Sequence, residues 1–318
     1  MRFGLLLPHF GPSSTKQRLF EFCAGLGSLG FSSIWVRDHL GYTGAAAFES
    51  RSNHFLDPLI TLAALARTSR LTLGTASLTP IRQPVVLAQM IGSLAYLADG
   101  NLILGVGLGS QPQTHKLVGR SMDDRPTHFK EMVEVLRATS HRHASYSGEF
   151  TRFENLTLDP APPEDLPIWY CGASRRAIDR AVEYATGWLP GRCPITVFDP
   201  LRRYLDEQRE GRAMSIGIVP LFSLGRTREE ALYAVNVEGL LRGFRAKPAW
   251  RHYGSFDNAN HTRGALFAGT SDDIAEDIAA LAERGVEHMV IDLRERFHVF
   301  EESVLQLSEE VLPRFVTA

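Results

Sequence analysis

The sequence predicts an α/β fold, a TIM (β/α)8 barrel with insertions after strands 4 and 7. Three observations point there. Short apolar runs alternate with helix-like segments along the chain, and eight of those runs are apolar enough to lie buried in a parallel sheet. The stretch Leu71–Gln113 holds two such runs with a helix between them, and each run ends abruptly in small, polar or proline residues; Ile34-Trp35-Val36 likewise ends in Arg37-Asp38-His39. Strands that deliver their chemistry at their C-terminal ends are what a barrel active site needs, because the following loops gather on one face. Finally, residues 30–36 (GFSSIWV) and 285–291 (GVEHMVI) look like one βα module reused, without the fixed period of a solenoid. A chain of 318 residues suits one barrel of about 250 residues with insertions, so 1–318 reads as a single domain. A doubly wound open sheet is the alternative.

The elements follow in order. Phe3–Pro8 is the first strand. Ser13, Ser14 or Thr15 caps a helix with Leu19, Phe22, Cys23, Leu26 and Leu29 on one face, and Gly30 stops it. Ser33–Val36 is strand 2. Asp57 followed by Pro58 is an N-cap with proline at the first helical position. Strand 3 is Leu71–Thr75. Pro84 opens a helix with Leu87, Ile91, Leu94 and Leu97 inward, Gly100 ends it, and Leu102–Val106 is strand 4. The insertion 107–166 carries a helix over Pro126–Thr139 and a hairpin around Ser147-Gly148. Strand 5 is Pro167–Cys171, followed by Gly172-Ala173-Ser174 and a helix with Ile178, Ala181, Val182 and Ala185 on one side. Gly187–Leu189 is strand 6. Asp199-Pro200 caps the next helix, and Ser215–Val219 is strand 7. Thr227 to Glu230 fits a capping box. Residues 243–264 read as a long loop. Ser271 caps a helix with acidic residues in its first turn, as the macrodipole favours. His288–Leu293 is strand 8, and Phe300–Val311 is the last helix.

Composition bounds the function. A formal net charge of -2 gives no reason to expect nucleic acid or an anionic membrane as partner. Cys23, Cys171 and Cys193 show no C-x-x-C spacing and leave an odd thiol, which suits a reducing cytoplasm. The start, MRFGLLLPHFG, has a short apolar run cut by Pro8 and Gly11, and reads as a strand and not as a signal peptide. No apolar stretch approaches the ~18 residues of a membrane span. The eleven histidines are scattered, and His141 and His143 have no carboxylate or cysteine at ligand spacing, so no metal is expected.

His39 follows a strand and belongs at the barrel mouth, where an imidazole can move a proton near neutral pH. The alternative is a histidine that hydrogen-bonds a neighbouring loop. The run Gly74–Pro80 is small enough for a planar ligand to approach its backbone, or is simply a turn before Pro80. Residues 105–110 (GVGLGS) are not the dinucleotide fingerprint, because position 110 is serine and no helix opens directly after the strand. A glycine strip bordering a flat cofactor fits them. Gly172-Ala173-Ser174 offers free amides at a helix N-terminus, which suit a phosphate or an ordinary serine cap. Arg175 and Arg176 lie close by.

Together these segments resemble the bacterial luciferase-like monooxygenase superfamily, most closely its branch of coenzyme F420-dependent oxidoreductases. The resemblance runs through FGLLLPHFG, GFSSIWVRDH, LGTASLTPIRQPVVLAQ, LILGVGLGS, IWYCGASRRAIDRAVEYATGW and GVEHMVIDL. It implies a barrel that binds F420 or FMN non-covalently at the C-terminal face, and a non-proline cis peptide at Ala76–Ser77 against the ring. It also implies that His39 faces the reacting edge beside Asp38. Gly107, Gly109 and Ser110 would border the ring, and Thr79 with Gly172, Ala173 and Ser174 would contact the ribityl-phosphate. Arg294 would reach the phosphate or tail. Serine at 110 departs from the glutamate proton donor of F420-dependent sugar-phosphate dehydrogenases, and lysine is scarce, which argues against that activity. The expected reaction is hydride transfer with F420 on a small organic substrate. The alternatives are oxygenation with reduced FMN from a separate reductase, a flavin-binding barrel without turnover, and a lyase or isomerase acting on a phosphorylated substrate. The insertions after strands 4 and 7 are expected to cover the substrate, with Trp250, His252, Tyr253, Phe256 and His261 lining the pocket. A homodimer is expected from the resemblance.

Overall fold

The computed structural model describes residues 1–40 and 54–315. Twelve strands are described: β1 (Arg2–Leu6), β2 (Ser33–Val36), β3 (Thr72–Thr75), β4 (Leu102–Val106), β5 (Ala144–Ser147), β6 (Arg152–Leu156), β7 (Ile168–Tyr170), β8 (Gly187–Trp188), β9 (Ser215–Ile218), β10 (Leu221–Leu224), β11 (Leu266–Gly269) and β12 (His288–Ile291). Eight of them close a parallel barrel in the order β1-β12-β9-β8-β7-β4-β3-β2. These are the eight strands expected from the sequence. The register sets Leu6 beside Trp35, Trp35 beside Gly74 and Trp169 beside Gly187. β5 and β6 form the expected antiparallel hairpin inside the insertion after the fourth barrel strand.

The barrel is a packed core and not a pore. Trp35 and Trp169 lie inside it, with ring centroids 5.8 Å apart. They fit because small residues face them. A Cβ added to Gly4 or Gly74 would come within 2.4 or 2.5 Å of Trp35, and one on Gly187 or Gly217 within 2.6 or 2.8 Å of Trp169. The Trp35 indole donates to Ser33 Oγ at 2.8 Å, and Ser33 Oγ lies 2.7 Å from His288 Nε2. This plug supports the site from below. A second, larger core fills the space between the outer faces of the strands and the helices.

Several local expectations change. The first connecting helix is not a regular α-helix: Gln17–Phe22 is a π-helical turn and Cys23–Leu29 a 3₁₀ turn. Gly25 and Gly27 weaken regular helix there, while Leu19, Cys23 and Leu26 still bury as expected. Leu97 is 46% exposed and does not join Leu87, Ile91 and Leu94 inside. It ends the helix Pro84–Leu97 and points off the buried stripe. Asp199-Pro200 is not a cap. The helix starts at Ile195 and runs through Pro200 to Gln208. An interior proline costs up to about 3 kcal/mol, but burying Val197 and Phe198 on the stripe of Leu201 and Leu205 contributes about 1.5–3 kcal/mol each. Ser271 is the first helical residue, and Thr270 is the cap, in a full capping box with Asp273. Thr227 accepts from the Glu230 amide at 3.1 Å, yet the Glu230 carboxylate turns to the Arg226 amide, so only half of that box forms.

The insertion between β10 and β11 packs on itself. Those two strands pair in parallel, so the chain between them folds into a separate helical layer around Phe244, Trp250 and Phe256. Trp250 and Phe256 are each 1% exposed, His252 is exposed, and Tyr253 and His261 are half-buried. The expected lid of these five residues is therefore not observed. Among the described residues no helix is long and apolar enough to cross a membrane.

Candidate active site

Each barrel strand that ends in small or polar residues hands them to one cavity of about 570 Å³. That volume suits a drug-sized or cofactor-sized molecule. All twelve residues singled out from the sequence line it: Asp38, His39, Ala76, Ser77, Thr79, Gly107, Gly109, Ser110, Gly172, Ala173, Ser174 and Arg294. The five aromatic and histidine residues of the late insertion do not, whereas the first insertion contributes residues 107–111 with Thr114 and His115.

One wall is made almost entirely of backbone. The Ala76–Ser77 peptide bond is cis, as expected from the resemblance. Opposite it on β4, a Cβ on Gly105 would come within 1.9 Å of the Thr75 carbonyl oxygen. On Gly107 it would meet the Cys171 carbonyl at 3.0 Å and Ser77 Oγ at 3.1 Å. Side chains are excluded here by contact, which leaves a bare surface beside the cavity. The Cys171 thiol under this wall is pushed up to about 12 by burial and stays protonated.

Asp38 holds the frame of the site. Its carboxylate accepts from the Thr79 amide at 3.0 Å and from Arg82 at 2.8 and 3.1 Å, and its side chain is 2% exposed. Arg82 also reaches Asp57 at 2.7 Å, the residue that caps the helix after β2. Asp38 thus fixes the loops after β2 and β3 to one another. His39 is half-buried, and its ring lies 5.2 Å from that of Phe55. Phe55 in turn stacks on Phe10 at 5.1 Å, so the imidazole has an aromatic backing.

At the helix Arg175–Tyr184, Ser174 caps by accepting from the Ala177 amide. The Gly172 carbonyl accepts from the Trp188 indole and the Ala173 carbonyl from the Trp250 indole, each at 2.8 Å. Trp250 acts on the site from behind this loop. The cavity wall also carries Arg37, Arg180 and Arg192, which sequence reasoning missed. Arg294 is 5% exposed and is gripped by Asp292 at 2.7 to 2.9 Å, with Arg192 reaching the same carboxylate at 3.2 Å. Burial alone would push the Asp292 carboxyl up, but the Arg294 and Arg192 guanidiniums hold it below the usual carboxylate range. Among the described residues, four lining arginines and one lining carboxylate, itself paired with Arg82, leave the cavity suited to an anionic ligand. Arg192 could have been found: residues 187–192 (GWLPGR) repeat the pattern of a strand ending in small residues.

The model of the family described as luciferase-like monooxygenase matches residues 1–288. The chain belongs to that family. Within the family, it is 31% identical to an uncharacterised protein of Mycobacterium tuberculosis over 51% of this chain and 61% of that one. It is 28% identical to an F420-dependent glucose-6-phosphate dehydrogenase of Microbacterium testaceum over 72% of this chain and 65% of that one. The match therefore spans less than two thirds of the length of these curated relatives. Among solved structures, a monooxygenase, RslO1, from Streptomyces bottropensis superposes with a TM-score of 0.77 at 22% identity, covering 99% of this chain and 100% of that one. The oxygenating constituent of 3,6-diketocamphane monooxygenase of Pseudomonas putida, in complex with FMN, superposes with a TM-score of 0.74 at 18% identity, covering 100% of both. At these identities the two structures establish the shared barrel fold.

Proposed function

We propose that the cavity binds F420 or FMN non-covalently, and that the protein is an oxidoreductase acting on a small organic substrate, with F420 the first candidate. The observation that carries this reading is the bare wall of Ala76–Ser77 and Gly107 in the same cavity as His39, four arginines and the Ser174 helix cap. The residues fit such a cofactor: a flat ring needs a wall without side chains, and a phosphate needs cationic groups and free helix amides. The named F420 dependence of the Microbacterium relative supports placing F420 first.

When bound, F420 supplies hydride transfer, and reduced FMN supplies electrons for oxygen. The protein's own residues position and protonate. Ala76–Ser77 and Gly107 support one face of the ring. The amides at Ala173 to Arg176 and nearby Arg180 hold the phosphate. His39, backed by Phe55, holds or releases a proton at the substrate oxygen or nitrogen. The protein thus orients the reacting groups and keeps competing chemistry out. The FMN reading has its own support, since Ser110 stands where a proton-donating carboxylate would serve a dehydrogenase and Asp38 is the only lining acid among the described residues. That reading calls for a separate flavin reductase as partner. A homodimer in the cytoplasm completes the proposal.

Fluorescence titration of the cofactor-free protein with F420 and with FMN tests it. Saturable binding of one of them is expected, and His39→Ala should retain that binding while losing at least tenfold in turnover. If neither cofactor binds, the proposal fails.

A further inference from the structure

Two arginines outside the cavity grip the loops that line it. Arg120 and Arg125 bracket one turn of the insertion after the fourth barrel strand, at the start of the helix Arg125–Ala138, and neither lines the cavity. Arg120 donates from one terminal nitrogen of its guanidinium to the Pro80 carbonyl, and from the other to the Arg82 carbonyl at 3.1 Å. Arg125 donates to the Gly109 carbonyl at 2.6 Å and, within its own turn, to the Met122 carbonyl at 2.7 Å. One turn thus holds the loop after β3 and the loop after β4 together. A charged donor makes a stronger hydrogen bond than a neutral one, and the planar fork sets direction as well as distance. The fold has other means of seating this segment: the helix Arg125–Ala138 packs on the helix Pro84–Leu97 and buries Phe129, Met132, Val133 and Leu136.

Both grips converge on Thr79. Its amide donates to Asp38 at 3.0 Å, and its carbonyl accepts from the Ile81 amide at 2.7 Å. The next carbonyl along the chain, that of Pro80, is the one Arg120 holds. The Thr79 methyl rests on Gly109, where an added Cβ would stand 2.5 Å from Cγ2, and Arg125 holds Gly109 in turn. A β-branched side chain whose methyl is pinned has its hydroxyl fixed as well. Thr79 is 9% exposed and lines the cavity, and among the described residues its hydroxyl oxygen has no hydrogen-bond partner. That oxygen is not among the sealed, unpaired atoms of the interior, so it stands open to the cavity. We infer that Arg120 and Arg125 are positioning residues, which hold the Thr79 hydroxyl in place for a hydrogen bond with the bound cofactor. Neither arginine touches the ligand; both act through Thr79. This rests on the flavin or deazaflavin reading of the site and deepens it.

Coupling between the arginines and Thr79 separates this role from a merely structural one. F420 and FMN are titrated into the wild type, Thr79→Val, Arg120→Met, Arg125→Met and the two doubles that combine an arginine change with Thr79→Val. Thr79→Val keeps the branched shape and removes the hydroxyl, and should weaken binding about fivefold, the worth of one hydrogen bond. Each arginine change alone should weaken binding about threefold by freeing the hydroxyl, and should weaken it no further in the Thr79→Val background. Arg120→Lys and Arg125→Lys keep the charge, should recover part of the loss, and replace any Met variant that circular dichroism shows to be unfolded. Equal weakening in both backgrounds overturns the proposal, because the arginines then act elsewhere. So does unchanged binding in Thr79→Val or in both arginine variants. A Lys variant that also fails to fold shows a structural role and overturns it too. Wild type that binds neither cofactor overturns the functional reading itself, an outcome visible before any variant is made.

Discussion

Gly105→Ala is the sharpest perturbation of the wall that carries the site. The added methyl carbon would lie 1.9 Å from the Thr75 carbonyl oxygen and 3.1 Å from its carbon. Both atoms are barrel backbone, so no flexible side-chain end can yield. The Gly105 carbonyl also accepts from Thr75 Oγ1 at 2.7 Å and from the Leu78 amide at 2.8 Å. Separating β3 from β4 would stretch these bonds. Overpacking costs about 1–3 kcal/mol, and a clash between two backbones belongs at about 3. An unfolding entropy of about 2.1 cal/mol/K per residue gives about 0.7 kcal/mol/K for the whole chain, so the melting temperature should fall by about 4 °C. Because residues 76–78 move with Thr75, cofactor affinity should fall at least tenfold. Circular dichroism melts and fluorescence titration read the two effects. Gly25→Ala is the control, since a Cβ there meets nothing within 4 Å and should be neutral or stabilise by up to about 1 kcal/mol. A Gly105→Ala protein that melts and binds like the wild type would refute the close-contact account of the wall.

Three further outcomes are expected. Arg82→Met strands the buried Asp38 carboxylate and should destabilise by about 3 kcal/mol, with Arg82→Lys intermediate because it keeps the charge but not the fork; urea denaturation measures this. Trp250→Phe removes the donor to the Ala173 carbonyl, and should weaken phosphate-bearing cofactor several-fold while sparing its dephosphorylated form, as paired titrations would show. Burial holds His9 near about 4 and His288 near about 3, so below pH 6.5 the unfolded chain takes up protons that the folded chain refuses. Stability should therefore decline as pH falls from 6.5 toward about 4 and 3, by on the order of 3 kcal/mol for His9 alone. His288→Gln, which keeps a donor for Ser33, should flatten that decline, and an unchanged slope in denaturation at pH 4 to 7 would count against the linkage.

The barrel was legible because its signals are local and periodic. Each strand is an apolar run, each run ends in a change of residue type, and those endings converge only if the strands close in parallel. The same endings identified the loops that line the cavity. Less legible were features that depend on contacts distant in sequence. Asp292 reads as part of the eighth strand; only the fold sets Arg192 beside it. Trp250 reads as a pocket aromatic until the pairing of β10 with β11 turns it inward, with its indole toward Ala173. Helix caps failed where another capping residue type stood next to the one chosen, as Thr270 does before Ser271, or where an apolar stripe outweighed a proline, as at Pro200.

The most direct test of the central claim is a crystal structure of the protein with F420 or FMN bound. The ring should lie in van der Waals contact with Ser77 and Gly107, its reacting edge toward His39 and its phosphate at the Ser174 helix cap. A ring bound elsewhere, such as the small hollow at Phe244 and Arg251, or a phosphate far from Ser174, would contradict the account.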